Sequence, residues 1–230
     1  VRVVPIADLH VAGPDMPPER LARIVGQVNA LRPDLVLIAG DFVSDKRVPT
    51  HRYSCADAVA PLAGPRTRFG TIAVLGNHDH WRGIQEARAA RAGAGIRILA
   101  NEAVRAGPLV VGGLDDAFTG HNEDAATQAA MRRLPGARIL LSHSPDPFAS
   151  LPPDIGLMLA GHTHCGQIRL PFVGALSTMS DHGERYACGL IEENGRILIV
   201  TAGLGTSILP LRLSAPSDLW LVTIGPRGER

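Results

Sequence analysis

Five times along this chain a short apolar run ends and a metal-ligand type of residue follows. VRVVPIA (1–7) is followed by Asp8 and His10, LVLIA (35–39) by Asp41, and TIAVL (71–75) by Asn77 and His78; the runs at 138–141 and 155–160 are followed by His143 and by His162 and His164. Runs of that length, dense in Val, Ile and Leu, read as strands buried on both faces. In open α/β sheets the crevice beyond the carboxyl ends of the strands is where ligands bind. The pattern therefore asks for a fold that brings five strand ends to one edge. A lone His is more often a structural histidine and a lone Asp a helix cap, so the set carries the argument. Gly40, Gly76 and Gly161 stand immediately before Asp41, Asn77 and His162, where tight turns and close backbone approach call for a residue without a side chain.

Between the first two runs, Leu21, Ile24, Val25, Val28 and Leu31 recur at helical spacing, with Pro17 and Pro18 at the start and Pro33 beyond the end. This predicts a strand, helix, strand unit with a right-handed crossover. Further helices are expected at 55–63, 84–92 and 123–134. Strands are expected at 96–99, 109–112, 138–141, 155–160, 186–191, 196–202 and 219–224. So many short strands with few helices exceed what one sheet covered on both faces can use, which predicts two sheets packed together with helices outside. No repeat, low-complexity linker or domain boundary breaks residues 1–230, so the expectation is a single domain.

Of 230 residues 45% are hydrophobic and 20% charged, which excludes a disordered chain. The 23 basic and 22 acidic residues nearly cancel, no stretch concentrates Lys and Arg, and the nine aromatic residues offer no base-stacking surface; nucleic-acid binding through bulk charge is not expected. Lys46 is the only lysine among arginines. Cys55, Cys165 and Cys188 are an odd number in a chain too large to need staples, so no disulfide framework is expected. No apolar run reaches the ~18 residues that span a bilayer. The chain starts at Val1, inside a strand-like run, which suggests a leader or anchor outside this sequence.

Two Asp, one Asn and the histidines 10, 143, 162 and 164 supply hard oxygens and borderline imidazoles, a set suited to Mn, Fe, Zn or Co rather than Ca. They are too many for one tetrahedral site and fit two adjacent ions sharing one carboxylate. The HExxH and HxE with PCxxC patterns of zinc proteases and deaminases are missing.

The segments ADLH (7–10), GDFV (40–43), GNHDHW (76–81), LSHSPD (141–146) and GHTHCGQ (161–167) resemble, in order and spacing, the five blocks of the calcineurin-like metallophosphoesterases. YACG (186–189) and VTAGLGTSILPLRL (200–213) resemble the bacterial branch whose members often carry an amino-terminal membrane or export segment. The resemblance implies a four-layer αββα sandwich of two packed mixed sheets with flanking helices, the metallo-dependent phosphatase fold. It also implies a dinuclear centre, with Mn favoured over Fe, Zn or Co. One ion would take Asp8, His10, Asp41 and His164, and the other Asp41, Asn77, His143 and His162, with Asp41 bridging. His78 would face the substrate phosphate as the catalytic residue. The implied reaction is hydrolysis of a phosphodiester, phosphomonoester or pyrophosphate bond by in-line attack of a metal-bound hydroxide, on a small-molecule phosphate ester or a lipid-linked pyrophosphate, with membrane association or export in a bacterium. The competing reading is an inactive calcineurin-like scaffold for protein binding, whose mark would be a missing ligand or catalytic histidine; every position is filled.

Three departures from the family pattern stand out. Ala7 replaces a common Ser, with little consequence expected. Ser44 stands where many members carry an Asp that orients the catalytic His, which leaves the partner of His78 open between Asp45 and Asp79, and Asp79 also reads as a turn or cap residue. Cys165 replaces a frequent Gly and reads as a small structural residue ahead of a redox-sensitive thiol. His80, Trp81, Asp115, Asp116 and His121 are candidate pocket or turn residues, and His51, Arg52, His182 and Arg185 candidate anion contacts that are more often plain surface.

Overall fold

The computed structural model describes residues 1–44 and 46–225. The apolar run at 35–39 is strand β2 (Leu35–Ala39), buried at every position. Because successive residues of a strand point to opposite faces, such a strand must be covered on both sides. Leu35, Leu37 and Ala39 enter one core and Val36 and Ile38 another.

Parallel to β2 lie β1 (Arg2–Ile6), β3 (Thr71–Val74) and β4 (Ile96–Ile98), with β13 (Val222–Thr223) antiparallel at the edge, in the order β13-β1-β2-β3-β4. The second sheet orders β11 (Gly189–Glu193), β12 (Arg196–Val200), β8 (Leu157–Ala160), β7 (Ala137–Leu141), β6 (Leu109–Gly113) and β5 (Glu102–Ala106) as β11-β12-β8-β7-β6-β5. Its four central strands are parallel and its two edges antiparallel. The two sheets bury Leu37, Val74, Val111, Leu141, Leu159 and Ile199 between them. On the outer face of the first sheet α1 (Pro18–Ala30) turns Leu21, Ile24, Val25 and Val28 inward, joined by Ala58 and Val59 of α2 (Cys55–Val59). On the outer face of the second, α4 (Asp124–Arg132) contributes Met131 beside Phe148 and Tyr186. The result is the expected four layers, helix, sheet, sheet, helix.

The differences from expectation are local. Helix α3 runs Asn77–Gly93 rather than starting near 84, since the residues after Gly76 themselves form its first turn and Gly83, at φ 119°, kinks it. β5 was missed because Glu102 and Arg105 break the apolar pattern on an edge strand half open to water. The hairpin of β9 (Arg169–Leu170) and β10 (Gly174–Ala175) is too short to signal itself. Strand structure begins at Leu157 rather than 155 and at Gly189 rather than 186, and pairing near the carboxyl terminus covers only Val222–Thr223 of the 219–224 expected. Among the described residues no helix is long and apolar enough to cross a membrane.

Candidate metal centre

The carboxyl ends of β1, β2 and β3 in one sheet and of β7 and β8 in the other meet at one edge. Backbone bonds stitch their loops together: Asp8 N–H donates to Gly40 O (3.1 Å), His10 N–H to Asp41 O (3.0 Å), and Gly161 N–H to His143 O (2.9 Å). Asp8, His10, Asp41, His162 and His164 all adopt positive φ, between 43° and 70°. For an L-residue that conformation costs about 1 kcal/mol or more, and such outliers cluster at functional sites. Here it turns each side chain back across the strand end toward a common centre. Gly76 is obligatory beside them, because a Cβ there would overlap the Asp41 carboxylate.

Asp41 is held from two sides. Its backbone N–H and that of Gly76 donate to Asp79 Oδ2 (2.9 and 3.0 Å), Phe42 N–H donates to Asp79 Oδ1 (3.2 Å), and His78 N–H donates to Asp41 Oδ1 (3.0 Å). Asp41 Oδ2 is then left between His10 Nε2 at 3.4 Å and His143 Nε2 at 3.3 Å. His10 Nε2 lies 3.1 Å from His164 Nε2, which is 3.6 Å from Asp8 Oδ1. His143 Nε2 lies 3.0 Å from Asn77 Oδ1 and 3.1 Å from His162 Nδ1. All seven residues expected to bind metal are therefore brought together and buried. His78 stands beside them, its Nε2 4.0 Å from Asp41 Oδ2.

Ring orientation is set from outside the cluster, as it is for metal-binding histidines generally. His143 Nδ1 donates to Ala39 O (2.7 Å) and His162 Nε2 to Met179 O (3.0 Å), so His143 Nε2 and a bare His162 Nδ1 face inward. The electrostatics follow from burial. Desolvation pushes the Asp8 carboxyl up to about 7. Burial also opposes charge on Asp41, yet His143, His10 and His78 outweigh it and hold Asp41 well below the usual carboxylate range. His143 is raised well above an ordinary imidazole, the Asp41 carboxylate overcoming burial. Burial, followed by neighbouring cationic groups, lowers His10 and His164 well below the ordinary value and His162 to about 3.

The cluster thus gathers the imidazole nitrogens of His10, His143, His162 and His164 around the Asp8 and Asp41 carboxyls in a setting where burial opposes charge. His10 and His164, and likewise His143 and His162, bring ring nitrogens within 3.1 Å of each other, close enough to share a hydrogen or a cation. Separations of 3.0–3.6 Å are also those of ligands each about 2.0–2.2 Å from a shared ion. The donor set fits divalent metal.

Several candidates resolve differently. Asp79 is a clamp on the β2 and β3 loops, and Asp45 lies outside the described residues. His80 bonds Asp115 (2.8 Å) and stacks on His121, while Asp116 caps its own turn through Thr119; this holds the 114–121 loop so that Phe118 packs on the His162 ring. Trp81 lines the cleft against His78. His51, Arg52, His182 and Arg185 do not line it; Arg185 pairs with Glu193.

The cysteine expectation is corrected. Cys165 and Cys188 form a disulfide that ties the loop carrying His164 to the start of β11, which spacing could not reveal because the pair joins distant loops. Two internal cations, Lys46 buried and Arg212 half-buried, also escaped notice. Lys46 reaches Asp15 (3.0 Å) and His10 O (3.0 Å), and its solitary status among arginines was the available signal. Arg212 donates to the carbonyls of His164, Ala202, Gly203, Gly205 and Ala215, with no sequence signal at all.

The cluster of candidate ligands lies at the floor of a cleft of about 410 Å³, walled by Trp81, Ile168, Leu176, Met179, Ile208 and Leu209. Among solved structures the chain resembles Haemophilus influenzae NAD nucleotidase (TM-score 0.55, 16% identity, 89% of this chain and 45% of that one) and a Thermus thermophilus 5'-nucleotidase precursor (TM-score 0.51, 14% identity, 89% and 49%). At such identity the likeness is one of fold. By sequence it is 30% identical to an uncharacterized metallophosphoesterase of Helicobacter pylori J99, over 100% of this chain and 61% of that protein. It is 28% identical to the uncharacterized metallophosphoesterase YkuE of Bacillus subtilis, over 97% and 78%, and 30% identical to a zebrafish transmembrane protein with metallophosphoesterase domain, over 95% and 52%. The chain thus spans less than two thirds of two of these relatives. The family described as calcineurin-like phosphoesterase matches residues 1–166, the stretch that carries every residue of the buried cluster, and the chain belongs to that family.

Proposed function

We propose that the chain is a dinuclear metal-dependent hydrolase of phosphate esters. The observation that carries this reading is the placement of Asp41 Oδ2 between His10 Nε2 and His143 Nε2, with two sets of inward-facing donors on either side. One ion would be held by Asp8, His10, Asp41 and His164, and the other by Asp41, Asn77, His143 and His162, with Mn favoured over Fe, Zn or Co. Bound there, two divalent ions supply charge neutralisation at the phosphoryl oxygens and a coordinated water of lowered pKa.

The protein's own residues do the rest. His78 Nε2 stands farther from Asp41 Oδ2 (4.0 Å) than do the nitrogens of His10 and His143, and its ring lines the open cleft beneath Trp81. It is thus placed to hold a phosphoryl oxygen or pass a proton to the leaving oxygen. Asp79 keeps Asp41 on its axis, and the carbonyls of Ala39 and Met179 fix which nitrogens His143 and His162 present. Water is kept from the far side by the sheet core. The scaffold alternative is disfavoured because each ligand position and His78 are occupied by competent side chains. Names of relatives, metallophosphoesterases, agree in class, and the bond cleaved, diester, monoester or pyrophosphate, is left to experiment.

The test is hydrolysis of chromogenic phosphate mono- and diesters by chelated protein before and after Mn addition, with metal counted in parallel. Restored turnover with two ions per chain is expected. Absence of metal binding would overturn the reading in favour of the scaffold.

A further inference from the structure

Of the fourteen large hydrophobic side chains exposed among the described residues, nine lie in two segments, 167–179 and 207–213. These segments form one body. Ile168 pairs with Leu213, Arg169 N–H donates to Leu213 O (2.9 Å), Leu213 N–H donates to Gln167 O (3.0 Å), and the Gln167 amide reaches the carbonyls of Ser207 and Leu209. The β9–β10 hairpin carries Phe172 and Val173 at its tip, Phe172 fully exposed at φ 65° and Val173 69% exposed. Ile208, Leu209 and Leu176 continue the apolar surface inward to the walls of the cleft above the metal cluster. Exposed apolar surface of this extent marks an interaction site.

Charge decides among occupants. Segments 167–179 and 207–213 contain two charged residues, Arg169 and Arg212, and no carboxylate; Arg47 joins them at the cleft. Glu184, which touches the hairpin, is committed to Arg169 and to the Ala175 N–H. With Arg169 offset by Glu184 and Arg212 turned inward onto backbone carbonyls, Arg47 at the cleft remains to meet a headgroup phosphate, and a protruding apolar tip that carries no carboxylate of its own matches the interface of an anionic bilayer, where apolar groups enter the acyl boundary.

We propose that this apolar rim docks the protein on an anionic lipid surface, Phe172 and Val173 inserting, so that the cleft opens toward phosphate esters held in that surface. The second half rests on the phosphoesterase reading above. The contact is made by the chain's own folded residues, independent of any separate anchor.

The experiment is co-sedimentation of the full chain with vesicles of phosphatidylcholine, with and without phosphatidylglycerol, for wild type and for Phe172→Ser with Val173→Ser. Wild type is expected to sediment with the anionic vesicles, and the double variant to partition about tenfold or more less, while both hydrolyse a water-soluble chromogenic ester equally. Wild type remaining in the supernatant, or equal sedimentation of the variant, would overturn the proposal. So would a wild-type dimer that the variant abolishes, which would give the face to a second copy. Vesicle binding that persists when no soluble ester is hydrolysed would count against the phosphoesterase reading and leave the docking face standing.

Discussion

Two regions of this molecule invert the usual partition of side chains. At the strand ends Asp8, His10, Asp41 and His143 are almost wholly buried, whereas at the tip of the β9–β10 hairpin Phe172 stands fully in water. Burying charge is expensive unless it is paired, and exposing large apolar groups forfeits their transfer energy. The difference between the regions lies in how each is built. The buried cluster is over-determined at its carboxylates and at two of its rings: backbone N–H groups hold Asp8 and Asp41, Asp79 clamps the Asp41 loop, and distant carbonyls orient His143 and His162. The apolar rim is carried on two-residue strands and loops. A region that must hold donors to fractions of an ångström is placed on rigid strand ends, and one that must only adapt to a soft surface can ride on a hairpin.

The sharpest way to break this comparison is at the shared carboxylate. Asp41→Asn should empty both ion positions together and lower turnover by about 10³-fold or more, read by metal analysis beside ester hydrolysis; a metal-free Asp41→Asn protein with full activity would refute the assignment. His78→Ala should cut turnover by about 10²- to 10⁴-fold while metal content stays near the wild-type value. Loss of metal in that variant would instead make His78 a ligand, an arrangement its grouping with His10 and Asp41 also permits.

The next effect tests over-determination itself. Asp79→Ala leaves three buried N–H groups unsatisfied, a destabilisation on the order of 3 kcal/mol, and should weaken metal binding about 10- to 100-fold. Asp79→Asn, which retains an acceptor, should recover part of the metal affinity; equal losses in both variants would reduce Asp79 to a folding role.

The smallest effect belongs to an ordinary surface pair. Hydrogen bonding to Arg132 lowers the Asp154 carboxyl below its usual value. A depressed folded-state pKa contributes stability above the unfolded-state value and loses it as pH falls through the folded one. Asp154→Asn should therefore lower Tm slightly at neutral pH and not at all in strong acid, and exposure to solvent keeps the difference small. A Tm loss rivalling that of Asp79→Ala would show that rigidity is not concentrated at the strand ends.

Much of this was legible along the chain, for definite reasons. Strands buried on both faces need unbroken apolar runs, so β1, β2, β3, β7 and β12 announce themselves, and the ligand types that follow such runs have one edge on which to gather. The same physics hides an edge strand such as β5, whose Glu102 and Arg105 face water. It also hides the β9–β10 hairpin, whose exposed Phe172 and Val173 look in sequence like any other apolar pair. Side chains that act across the fold leave no local trace: Arg212 on its five carbonyls, the Cys165–Cys188 link, and Asp79 turned onto the Asp41 loop.

Sequence by itself determined the apolar central strands, their expected layering and which ligand-type residues follow them, because periodicity and residue chemistry are local properties. Tertiary structure alone decided which nitrogen each histidine presents, which carboxylate oxygen of Asp41 is left free, and that the apolar rim opens onto the same cleft. Those depend on backbone groups and loops more than a hundred residues apart in the chain, as the His143 bond to Ala39 illustrates.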